Sequence, residues 1–133
     1  MTIKPTMMNF LKIAMLTLML GTTLFLACKK SNDNGFSVEG SWQGKLGNGG
    51  AKPTGFIGLN IKGGHILERT VSTGSVTATG TWQIDGNTFS GNYVFSSSST
   101  KVNLTGTLNK GQLKITGAWS NDSNEEGAWY VTK

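Results

Sequence analysis

Few side chains in this sequence could do covalent or acid–base chemistry. His65 is the only histidine, and Glu68 and Arg69 follow it closely. A histidine and a carboxylate can work as an acid–base pair. Positions 65 and 68 are three apart, however, so on a strand their side chains leave opposite faces. His65 therefore reads as a solvated residue at the start of a hairpin strand. Asp122, Glu125 and Glu126 could hold a calcium ion weakly. Without the regular ligand spacing of a calcium loop, they read instead as solvated acids. One cysteine and one histidine exclude a disulfide framework and a clustered thiolate or imidazole metal site. No nucleophile elbow, phosphate-binding glycine loop or paired-carboxylate motif is present. The expectation is a protein that is not an enzyme and uses no cofactor or metal.

The distinctive chemistry is aromatic. Each of the four tryptophans follows a glycine by two positions: Gly40-Ser41-Trp42, Gly80-Thr81-Trp82, Gly117-Ala118-Trp119 and Gly127-Ala128-Trp129. Gly91-Asn92-Tyr93 and Gly106-Thr107-Leu108 are softer copies. Residues i and i+2 share one face of a strand. A glycine there leaves room for a large ring from a neighbouring strand and permits sharp coiling. Such rings have two uses. They can fill the interior, as side chains do in most small barrels. They can also line a pocket for an apolar or planar ligand. The candidate ligand-binding residues are Trp82, Tyr93, Trp119 and Trp129, of which Trp119 and Trp129 flank the long late loop.

The elements that must position these rings are strands. Of the 133 residues, 19 are glycine and only 14% are charged, against about 25% charged in an average domain. After residue 35 no helical periodicity emerges. Apolar and polar residues alternate instead, between Gly, Asn and Asp punctuation. Val38, Trp42 and Leu46 share a first face. Phe56 to Lys62 and His65 to Val71 follow, joined at Gly63-Gly64. Val76, Ala78, Gly80, Trp82 and Ile84 line a fourth strand. Phe89, Tyr93 and Phe95 line a fifth, after the Asp85-Gly86 hairpin signal. Val102, Leu104 and Leu108 line a sixth. Leu113, Ile115 and Trp119 line a seventh, and Trp129 and Val131 an eighth. The pattern predicts an all-β fold: a small antiparallel up-and-down barrel of about eight strands, with a β-sandwich as the alternative. One apolar face per strand predicts a soluble barrel rather than a transmembrane one. Loops at 47–53, 96–100 and 120–126 support a second functional expectation. It is a non-catalytic envelope interaction or structural module with a filled core.

Gly40-Ser41-Trp42, at the start of the barrel, resembles the Gly-x-Trp signature of lipocalins. Thr79-Gly80-Thr81-Trp82, Asn87-Thr88-Phe89-Ser90-Gly91 and Gly127-Ala128-Trp129 extend the likeness to short lipocalin-like lipoproteins of Bacteroidota with no assigned function. The resemblance implies an eight-stranded barrel carrying a small hydrophobic ligand. The chain departs from lipocalins in its shorter domain and its lack of a C-terminal helical pattern. Arg69 is the only arginine available to stack on Trp42.

The first residues look like an address. Lys4 and Lys12 precede a fourteen-residue, largely apolar run, Ile13 to Leu26. That is shorter than the roughly 20 residues of a membrane span and suits a signal segment. Leu26-Ala27-Cys28 resembles the end of a bacterial lipobox. This implies cleavage before Cys28 and lipidation of Cys28, with the membrane as a partner. Lys29-Lys30-Ser31-Asn32-Asp33-Asn34 resembles the polar start of Bacteroidota lipoproteins. The expected organisation is a signal peptide over 1–27, a lipidated cysteine and polar tether over 28–35, and a barrel over 36–133. The expected location is the cell envelope, as an outer-membrane lipoprotein. Removing Lys4 and Lys12 leaves ten basic against seven acidic residues, net charge +3. Without a Lys/Arg cluster, that charge does not point to nucleic acid. The functional expectation is a lipid-anchored envelope barrel that binds a small hydrophobic or aromatic ligand without catalysis.

Overall fold

Antiparallel hairpins succeed one another throughout the described chain. The computed structural model describes residues Gly35–Lys133. The signal segment, Cys28 and nearly all of the tether lie outside the described residues. Eight strands follow in order: β1 (Gly40–Leu46), β2 (Gly55–Lys62), β3 (Ile66–Thr70), β4 (Val76–Asp85), β5 (Thr88–Phe95), β6 (Lys101–Asn109), β7 (Lys114–Asn121) and β8 (Glu126–Thr132). Each pairs with the next, and β1 pairs with β8 through Gly44↔Val131 and Leu46↔Trp129. The result is the closed up-and-down barrel, not the sandwich. Closure leaves no free sheet edge to recruit another chain.

Alternation places one side chain in two inside. Ile57, Leu59 and Ile61 of β2 are buried, as are Leu67 of β3, Phe89 of β5, Leu104 of β6 and Ile115 of β7. Trp42 and Trp129 are the largest fully buried side chains. Burying each such side chain contributes about 1.5–3 kcal/mol, so this apolar filling is the main source of the barrel's stability.

The glycines do both jobs the sequence suggests, at different places. A Cβ on Gly44, Gly80 or Gly117 would overlap a carbonyl oxygen of the adjacent strand: Tyr130, Asn92 or Thr105 respectively. At these points the strands coil past one another too closely for any side chain. Gly91 and Gly106 lie against core side chains, Leu67 and Phe89 for the first and Ile115 and Trp129 for the second. Their Cβ positions fall 3.2 Å from Phe89 Cε1 and 3.1 Å from Trp129 Cζ2.

Three local expectations need correction. His65 does not begin β3. It closes a three-residue turn after Gly63 and Gly64, with φ of 61°. Leu113 does not point inward from β7. It sits in the preceding turn with φ of 50° and is exposed. Val76 does not point inward either. The β3–β4 register shifts between Arg69↔Ala78 and Thr70↔Val76. The extra residue, Thr77, forms a bulge that turns Val76 outward.

The two ends of the barrel differ. One end carries the tight turns 63–65, 86–87 and 110–113. Phe36 packs against the core, and Val38 is buried. The Trp42 indole N–H donates to the Val38 carbonyl at 2.8 Å. Lys133 Nζ donates to the Ser37 and Glu39 carbonyls at 2.7 and 2.6 Å and lies 5.6 Å over the Trp42 ring. The cation on Trp42 is therefore Lys133. Arg69, the sole arginine candidate for that place, lies in the cleft at the other end. The opposite end carries the loops 47–54, 71–75 and 96–100 and the four-residue turn 122–125.

Candidate functional site

The loop-bearing end holds a cleft of about 350 Å³. Tyr93 and Phe95 of β5, Trp119 of β7, Val102 of β6, Leu46 of β1 and Arg69 of β3 line it. Ser97, Ser98 and Thr100 rim it from the 96–100 loop, and Asn121 and Glu125 from the last loop. Strand periodicity explains the composition. Tyr93 and Phe95 are two apart, as are Leu67 and Arg69, so each pair shares the interior face.

Each ring is held. The Trp119 indole N–H donates to the Gly47 carbonyl at 2.8 Å, tying β7 to the first loop. Tyr93 and Phe95 meet edge to face, with centroids 5.5 Å apart and planes at 88°. The Arg69 guanidinium carbon lies 5.4 Å from the Phe95 ring centre, and Nη2 donates to the Phe56 carbonyl at 3.2 Å. Burial pushes the Tyr93 phenol above its ordinary pKa, and the Arg69 guanidinium opposes that shift by its charge and by donating a hydrogen bond to the phenol oxygen. The phenol is thus a neutral hydrogen-bond donor at physiological pH.

The structure brings Tyr93 and Trp119 together and leaves Trp82 and Trp129 apart from them. Trp129 is core. It is 1% exposed, packs edge to face on Phe89, and its indole N–H is shared between the Thr105 and Ala118 carbonyls. Trp82 lies beside the turn at the far end, where its indole N–H donates to the Lys62 carbonyl at 2.8 Å. The His65 ring lies tilted at 46° to Trp82 with centroids 5.4 Å apart, and its Nδ1 is 2.9 Å from the Trp82 carbonyl. Glu68 faces outward to Lys62 and Asn60, whose hydrogen bonds lower its pKa. His65 and Glu68 are therefore not an acid–base pair.

The late acidic loop is occupied by its own hydrogen bonds. Glu125 Oε2 accepts from Asn121 Nδ2 at 2.7 Å, and Asp122 Oδ2 accepts from the Lys101 amide. Among the described residues no three acidic, histidine or cysteine side chains converge as a metal site.

A second cleft of about 470 Å³ runs over the outer face of β4–β6, beside His65 and Trp82. Thr81, Gln83, Ser90, Asn92, Asn103 and Thr105 line it. It is an open strip of sheet surface, and Trp82 and His65 are its only ring side chains.

Sequence reasoning missed Arg69 and Phe95 as parts of the mouth. The available signal was Arg69 itself: a lone arginine, two residues after inward Leu67, on an interior face. No protein-family model, curated protein or solved structure matches this chain. The functional assignment therefore rests on the geometry of the mouth.

Proposed function

We propose that this chain is a lipid-anchored envelope barrel that binds a small aromatic or apolar molecule in its loop-bearing mouth, without catalysis. One observation carries it. The middle and far end of the barrel are packed with side chains, while Tyr93, Phe95 and Trp119 converge on an open cleft of about 350 Å³. Ligand sites run from about 300 to 1,000 Å³, so this one suits a molecule of one or two rings rather than a long lipid chain. Binding would come from apolar burial and ring contacts at a pre-formed site.

The test uses the full chain in lipid nanodiscs, titrated calorimetrically with 2-naphthalenemethanol against empty discs. Saturable binding at one molecule per chain is expected. Uptake no greater than that of the empty discs contradicts the proposal.

The anchoring half rests on Cys28 at the end of Leu26-Ala27-Cys28. Each buried CH₂ contributes about 0.8 kcal/mol, and a second chain makes the anchoring stable. Cys28→Ser is expected to leave the precursor uncleaved and unlabelled by a fatty-acid analogue. Label retained on that variant would exclude Cys28 as the acylated residue.

A second function has support from one arrangement. The loops around 47–54, 96–100 and 122–125 gather at one end above a packed interior. That suits a contact surface for another envelope component. Ligand-free capture of such a component, abolished by loop changes but not by Phe95→Ser, would favour it over the small-molecule site.

A further inference from the structure

The mouth contains a cation that no carboxylate among the described residues pairs with. Arg69 is on the interior face of β3, two residues beyond fully buried Leu67. Its Nε–H is buried and has no hydrogen-bond partner. Its remaining partners are neutral: Nη2 donates to the Phe56 carbonyl, the guanidinium hydrogen-bonds the Tyr93 hydroxyl, and it lies 5.4 Å from the Phe95 ring centre. Among the described residues the single ion pair is Lys62–Glu68, so no carboxylate is paired with Arg69. Glu125 shares the cleft but is exposed at the rim, where Asn121 engages its carboxylate.

Arg69 is half-buried, and a charge drawn out of water is costly unless it is paired. A guanidinium also presents five N–H donors in a planar fork, matched to a carboxylate by two parallel hydrogen bonds. Both facts favour an anion supplied from outside. The walls around that fork are Phe95, Tyr93 and Trp119, so the anion's body must be apolar and compact.

We infer that the ligand is a small aromatic monocarboxylate, its carboxylate held by Arg69 and its ring lodged among Phe95, Tyr93 and Trp119. This rests on the mouth being a ligand site, as proposed above. The Tyr93 hydroxyl supplies a second donor to the bound anion. Glu125 at the rim selects against a second negative charge on the ligand. Long-chain anions are disfavoured by the small volume and by the packed interior beneath it.

The test compares 2-naphthoate with 2-naphthalenemethanol, which share a ring system and differ in charge. Both are titrated calorimetrically against the full chain in nanodiscs of uncharged lipid. The expected result is at least tenfold tighter binding of 2-naphthoate. In Arg69→Gln the ratio falls to about one. Arg69→Lys, which keeps the charge but loses the fork, retains part of the preference. Circular dichroism checks that each variant is folded, and the ratio in the unmodified protein needs no variant. Equal affinities in the unmodified protein overturn the carboxylate assignment and leave the apolar site standing. Binding of neither compound overturns both. A preference that survives in folded Arg69→Gln also overturns the role of Arg69.

Discussion

Trp42→Ala is expected to destabilise the barrel by about 3–5 kcal/mol, the range for removing a buried tryptophan. Trp42 is fully buried, and its indole N–H fixes Val38. Its ring also lies under Lys133, which in turn holds Ser37 and Glu39. The substitution therefore opens a cavity and loosens the segment that closes this end. Domains of this size have roughly 5–15 kcal/mol of stability in total, so a large share is lost. The melting temperature should fall by more than about 10 °C, since 1 kcal/mol shifts a domain of 60–100 residues by about 4–8 °C. Urea unfolding followed by circular dichroism measures the change. Trp42→Phe keeps most of the ring but not the N–H bond and should fall between the two. A change within about 0.5 kcal/mol for Trp42→Ala, as surface substitutions give, would contradict the packing described.

Gly117→Ala adds a single methyl and is expected to be nearly as damaging. Gly117 of β7 faces Gly106 of β6. A Cβ at 117 would overlap the Thr105 carbonyl oxygen and come within 2.5 Å of the Gly106 Cα. Both obstacles are backbone, so no side chain can rotate away. The strands must separate, and Thr105 must shift. The same Thr105 carbonyl accepts the Trp129 indole N–H at 3.1 Å, so the displacement reaches the core. Overpacking commonly costs about 1–3 kcal/mol, and the coupled loss at Trp129 places this variant at about 3 kcal/mol or above. Gly50→Ala is the control. Nothing lies within 4 Å of its Cβ position, and its backbone is not left-handed. Equal melting curves for the two variants would mean that Gly117 is not a point of strand contact.

Strand count, strand order and most inward-facing positions could be read from alternation. That pattern is local, with a period of two residues, and antiparallel hairpins turn sequence neighbours into spatial neighbours. The failures occur where one residue breaks the period. Thr77 bulges, so Val76 changes face although the pattern through Val76, Ala78 and Gly80 is unbroken in the sequence. Leu113 and His65 adopt left-handed backbone conformations in turns. Such conformations are uncommon for residues other than glycine, so both residues read as strand. The site was half legible. Tyr93 and Trp119 were identifiable as large inward rings. Which end each ring occupies depends on the closed register, and that separates Trp82 and Trp129 from the mouth. Arg69 was hidden because an interior strand position rarely holds a charge. The cluster of loops at one end follows from the hairpin order, because alternate connections fall at the same end and the three longest, 47–54, 71–75 and 96–100, are alternate ones.

The most direct test of the mouth as the ligand site is amide shift mapping of the labelled full chain in nanodiscs during titration with 2-naphthalenemethanol. Perturbations are expected at Leu46 and Gly47, from Tyr93 to Val102, and from Trp119 to Glu125, the segments that enclose the cleft. The turns at 63–65, 86–87 and 110–113 should stay unmoved. Shifts centred on those turns or on the polar outer face of β4–β6, or no shifts at saturating ligand, would contradict it.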